Sequence, residues 1–183
     1  PAWLDVIAEA KRRLIRLGDA GEGVPEGNLL NHLFRWGTTY VMRWGDEGAK
    51  ARARSRMMEY MYLHARLGAL DPESVLDLVS EYQEVVSGTE EGEVRNELRI
   101  WSAFFRERSH LLARGLEEWS TTRILMQLAV EHADTSPVTK AVEDWMSEGQ
   151  GQWLWLRRPV RPYKLRDNFA LRVIEGHVEW VTG

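Results

Sequence analysis

No cysteine occurs anywhere in the chain, which excludes disulfides, thiol nucleophiles and Cys-ligated zinc or iron–sulfur clusters, and fits a cytosolic setting. No run of about 18 apolar residues exists either, so nothing is expected to span a membrane. Positive charge is not in excess: 24 Lys+Arg stand against 28 Asp+Glu, a formal net charge of −4. A global basic field that would draw the chain to nucleic acid or anionic lipid is therefore missing. The chain opens at Pro1 with no Met and no cleavable signal pattern, as a piece of a longer polypeptide would.

The motifs of catalysis are also scarce. Histidines stand at 32, 64, 110, 132 and 177, none in H-E-x-x-H or another close metal spacing. No G-x-S-x-G elbow supports a Ser/His/Asp constellation. The loop from Gly18 to Gly27 carries four glycines and Pro25, but it lacks the Gly-Lys-Ser/Thr ending of a P-loop and no strand precedes it. Glu22 and Glu26 would repel a phosphate, so the loop reads as a connector. Glu131-His132-x-Asp134 is the richest local set of ligand types. Adjacent residues on a helix point well apart, so Glu131 and His132 do not converge on one ion. The simpler reading is a helix end, with His132 near the C-terminal dipole. Glu90-Glu91 and Glu117-Glu118 sit beside turn signals and read as solvated or as favourable at helix N-termini. No metal, no cofactor and no enzyme activity are expected in this chain.

What remains is helical periodicity. At 183 residues, 44% hydrophobic and 28% charged, the chain can bury a substantial core. Residues 2–17 read as an amphipathic helix with Trp3, Ile7, Ala10, Leu14 and Leu17 on one stripe. Residues 28–44 continue helically, with a candidate break near Gly37. Asp46 starts a helix running to Gly68. Arg52, Arg54 and Arg56 fan around one side of it as a solvated face, and Met57, Met58 and Met61 read as core filler ahead of an adaptable binding surface. Asp71-Pro72 marks a helix start that closes at Ser87-Gly88. Thr89 is expected to cap the next helix, which ends near Gly115. Ser120-Thr121-Thr122 and Ser136-Pro137 precede two more. The fold class is all-α, about seven helices in antiparallel pairs forming a bundle or a superhelical array, without a regular repeat period.

Past residue 148 the pattern changes. Residues 149–168 form a Trp/Arg/Pro linker in which Trp153, Trp155, Arg157, Arg158 and Arg161 are the candidate interaction residues. Aromatics interleaved with arginines can stack on bases and pair phosphates. With no basic domain behind them, docking is favoured over nucleic acid: the tryptophans pin the linker to the helices and the arginines meet surface carboxylates. Pro159 and Pro162 stiffen it into a semi-rigid hinge. In 169–183 apolar residues alternate, Glu175-Gly176-His177 offers a turn, and a short C-terminal β hairpin or an edge strand is expected. An isolated strand edge does not make a fold, which again suggests a chain cut from something longer.

Gln127-Leu128-Ala129, Glu131-His132-Ala133-Asp134, Ser136-Pro137-Val138-Thr139 and Ala141-Val142-Glu143, followed by Leu171 to His177 and Val181, resemble the helical linker region of bacterial STAND NTPases of the NACHT/NB-ARC type that carry C-terminal WD-repeat propellers. The resemblance covers 119–181 and weakens over 28–118. Over 1–27 there is none. Periodicity and composition give a helical domain over 1–148 and the linker over 149–168, and the resemblance implies the start of a truncated propeller at 169–183. In that frame Gly176, His177, Trp180 and Val181 belong to the propeller-start motif, and His177 is a structural residue of a blade. The resemblance further implies a cytoplasmic, non-catalytic scaffold in signal transduction. It would couple a WD-repeat sensor to an upstream NTPase and effector through protein-protein interaction and autoinhibition. Two alternatives stand beside it: a stand-alone all-α protein-interaction domain, with a protein partner or self-association, and a nucleic-acid binder using the Trp/Arg linker.

Overall fold

The computed structural model describes residues 34, 37–70, 72–116, 118–149, 155, 156 and 162. The protein is all-α. A helical stretch over 37–44 leads into six α-helices: α1 (Glu47–Met57), α2 (Tyr60–Ala69), α3 (Val75–Ser87), α4 (Glu93–Leu112), α5 (Thr121–Val130) and α6 (Pro137–Ser147). A 3-10 turn over Pro72–Ser74 precedes α3. The amphipathic helix expected over 2–17, the cap at Asp71 and the C-terminal hairpin lie outside the described residues.

Several helix starts follow the sequence directly. The Asp46 carboxylate accepts the Ala49 N–H at 2.6 Å. Ser136 Oγ accepts from Val138 N at 3.2 Å, with Pro137 at the first helical position, where its missing N–H costs nothing. Two expectations are corrected. Thr89 does not open α4: its hydroxyl donates back to the Val85 carbonyl at 2.6 Å and so closes α3. The backbone of Gly92 stands at the N-cap of α4 with no side-chain cap.

The single helix expected from Asp46 to Gly68 is two helices. The Tyr82 hydroxyl donates to the Met57 carbonyl, the group a continuous helix would offer to residue 61. Met58 and Glu59 close the preceding turn with shorter-range bonds to Ser55 and Arg56, and Glu59 goes extended. A tertiary hydrogen bond therefore breaks what local propensity would have continued.

Two glycines are set by geometry. A Cβ on Gly115 would lie 2.8 Å from the Thr121 amide nitrogen, so the tight return from α4 to α5 needs a bare backbone. Gly149 ends α6 at φ +78°, the left-handed position that glycine takes after a helix.

The helices surround one core. α4 contributes Leu98, Trp101, Phe104, Phe105 and Leu112 at helical spacing, all fully buried. Tyr82 stacks on Phe105 at 5.3 Å, and Trp101 meets Phe105 and Phe104 at 6.3 Å. α3 packs on α4, and α5 on α6. α2 packs on both α5 and α6, and α4 on α1, α5 and α6. Contacts that skip along the sequence in this way make a bundle; a superhelical array would confine each unit to its neighbours. Met57 is buried in that core, and Met58 and Met61 pack against it. Arg52 and Arg56 are exposed as expected, whereas Arg54 is tucked against α1 within 3.5 Å of Glu47.

Candidate interaction site

Beyond α6 the chain comes back to the bundle. The Gln127 side chain, midway along α5, donates from Nε2 to the Leu156 carbonyl at 2.6 Å and accepts the Leu156 N–H on Oε1 at 3.0 Å. Further on, the Asp134 N–H donates to the Pro162 carbonyl at 2.9 Å. Both anchor points use the linker's main chain. Trp155 remains 37% exposed and Leu156 81% exposed, so the Leu156 side chain adds little to the hold.

These main-chain anchors stand beside the expected docking of the linker by its tryptophans. Of the candidate residues, Trp155 lies beside the Gln127 anchor and keeps a third of its surface open. Trp153, Arg157, Arg158, Arg161, Gly176, His177, Trp180 and Val181 lie outside the described residues. Gln127 and the Asp134 amide were not legible as contact groups. A lone carboxamide on a helix is a weak cue, and a backbone donor leaves none in a sequence.

The turn that carries Asp134 is rigidly built. Past the end of α5, His132 Nδ1 lies 2.7 Å from Ser136 Oγ, and the imidazole meets the Phe104 ring edge-to-face at 5.3 Å. Thr139 Oγ1 donates to the Ala129 carbonyl at 3.2 Å, tying α6 to α5. A His next to a Ser invites a catalytic reading. Ser136 has no exposed surface and its hydroxyl is already the cap of α6, so no substrate atom can reach it. The pair is structural.

Burial, and then the neighbouring Arg108 guanidinium, push the His132 imidazole down from 6.5 to about 4. The helix-end dipole, which would favour the charged form, loses to desolvation. Because the unfolded chain binds the proton more readily, this site contributes stability that is fully present above pH 6.5. The contribution declines as pH falls and is gone once pH passes below about 4. His64 is pushed down by burial too and acts in the same sense. The urea midpoint of the wild type should fall between about pH 7 and about pH 5, and His132→Asn should flatten part of that fall. An unchanged pH profile in the variant would mean that His132 titrates normally in the folded state.

Two other surfaces stand out. A groove of about 710 Å³ lies between α1 and the 88–94 segment. Its cations Lys50 and Arg54 already face Glu47 at 3.0 and 3.5 Å, and Glu90, Glu91 and Glu93 line it as well. It offers no free positive charge to an anion. On the 37–44 stretch, Tyr40 and Trp44 contact each other at 5.1 Å while staying 62% and 64% exposed. The inner side of that stretch is tied to α3 through Thr39, which donates to Glu84 at 2.6 Å.

Among the described residues, no group of three or more His, Asp or Glu side chains could hold a metal ion, and no described helix is long and apolar enough to cross a membrane. Comparison with protein-family models, with curated proteins and with solved structures gives no match in any of the three.

Proposed function

We propose that this chain is a non-catalytic helical connector in a cytoplasmic STAND-type signalling NTPase, placed between an upstream NTPase with its effector and a WD-repeat sensor. The observation that carries the reading is the return of the linker onto α5 and the α5–α6 turn through main-chain bonds to Gln127 and Asp134. A segment held that way transmits position: force or displacement applied beyond Pro162 acts on the bundle at a defined place. A free tether would absorb it. The sequence resemblance over 119–181 supplies the identity of the flanking domains. Ligand binding to the sensor would bias the connector between a closed and an open arrangement, and so control oligomerisation of the NTPase. The partners are then other domains of the same polypeptide.

In the full-length parent, reversing the charges at Arg157 and Arg158 should alter autoinhibition while nucleotide affinity stays unchanged. Activation identical to wild type would count against the reading. A second reading, a stand-alone all-α interaction domain, is favoured by the exposed Tyr40–Trp44 pair, since paired exposed aromatics are the kind of anchor that protein interfaces use. It predicts a cooperative monomer or dimer that tolerates deletion of its last fifteen or so residues. A nucleic-acid role for the linker predicts binding that weakens steeply with salt.

A further inference from the structure

We propose that Gln127 is a main-chain clamp: it reads the peptide group of Leu156 without regard to its side chain, so that residues 155–156 can leave α5 while the fold stays intact. A carboxamide carries the same donor and acceptor as a peptide unit. Here both are used on one residue, Nε2 to the Leu156 carbonyl at 2.6 Å and Oε1 from the Leu156 N–H at 3.0 Å. This is the pairing an adjacent β-strand would supply. The Leu156 side chain meanwhile points away, 81% exposed, so it adds little to the hold.

A second anchor point follows. The Asp134 N–H reaches the carbonyl of Pro162, a residue with no N–H of its own to compete for a different pairing. Gln127 meets 156 from α5, and Asp134 meets 162 from the α5–α6 turn. This second anchor point lies close in sequence to the buried His132–Ser136 pair. The α5–α6 turn is itself tied down by the His132–Ser136 contact and by Thr139 bonding to Ala129.

The clamp bonds themselves are solvent-exposed. Exposed hydrogen bonds add little net stability, so they open far more readily than the core does. A rigid seat with weak, side-chain-independent bonds is what a reversible latch requires. That release moves a following domain rests on the connector reading above. The clamp itself does not.

The test is residue-resolved amide exchange at Leu156 in the full 183-residue chain, with trypsin cleavage at Arg157 as a second readout. Gln127→Leu removes both bonds and should speed Leu156 exchange about tenfold and hasten the cut. Gln127→Glu keeps the acceptor and loses the donor, and should fall between. Leu156→Ala should leave the anchor intact, whereas Leu156→Pro, which deletes the N–H and so one of the two bonds, should hasten the tryptic cut to an intermediate degree. The urea midpoint of each variant separates local release from loss of the fold. Equal exchange in wild type and Gln127→Leu would overturn the proposal, as would release by Leu156→Ala equal to that by Gln127→Leu, which would show that side-chain packing holds the segment. A native polypeptide lacking the flanking domains would sink the connector reading and leave these exchange results standing.

Discussion

Replacing Glu81 with leucine is expected to destabilise the protein by about 3–5 kcal/mol. The reason lies on the facing surfaces of α2 and α3. Arg66 Nη2 sits 2.7 Å from Glu81 Oε2, with side chains 1% and 0% exposed. The approach is off the hydrogen-bonding direction, so the contact is mainly one of charge. Burial pulls the Arg66 guanidinium pKa down, but Glu81 and then Tyr62 more than offset this, and it lies above the usual arginine value. The Phe34 ring adds a further contact, 5.2 Å from the guanidinium carbon. Removing the carboxylate leaves a buried cation with no counter-charge, which costs more than the pair itself contributes.

The paired replacement separates those two quantities. Arg66→Met with Glu81→Leu deletes both charges and fills the space with apolar atoms, so it should recover most of the loss or exceed wild-type stability. Urea unfolding of the two single variants and the double variant measures the coupling. Additive losses would show that the two side chains do not depend on each other.

Trp101→Ala is expected to cost about as much, roughly 3–5 kcal/mol, out of the 5–15 kcal/mol that ordinarily stabilises a domain. Trp101 has no exposed surface and lies among Phe104, Phe105 and the other buried residues of α4. Truncation leaves a cavity that several helices share, and a close-packed interior collapses only partly around it. Trp101→Phe should be much milder. It keeps the ring in place and removes an indole N–H that has no hydrogen-bond acceptor among the described residues. The midpoints of chemical unfolding check both variants. A Trp101→Phe loss equal to that of Trp101→Ala would mean that the indole, and not the filled volume, sets the stability.

The helices were largely legible because their evidence is local. Asp46, Ser120 and Ser136-Pro137 each mark a start that the backbone then uses, and Leu98, Trp101, Phe105 and Leu112 announce the inner face of α4 by spacing alone. The misreadings share one cause. Thr89 has the chemistry of a cap, but the Val85 carbonyl behind it is the nearer partner. The break at Met58–Glu59 depends on a hydroxyl twenty-five positions away on Tyr82, which no local window contains. Bundle and array share the same helical periodicity, so only the packing of α2 on α5 and α6 separates them. The linker follows the same rule. Its tryptophans and arginines are conspicuous by composition, whereas Gln127 and the main-chain groups that bond at 134, 156 and 162 carry no compositional mark.

The most direct test of the connector reading is peptide mapping of the native polypeptide that contains these residues, isolated from its source. The account predicts a chain several-fold heavier than 21.2 kDa, with a P-loop upstream and Gly-His/Trp-Asp repeats downstream. A native polypeptide ending at Gly183 would contradict it, and the exposed Tyr40–Trp44 pair would become the first surface to test for a protein partner.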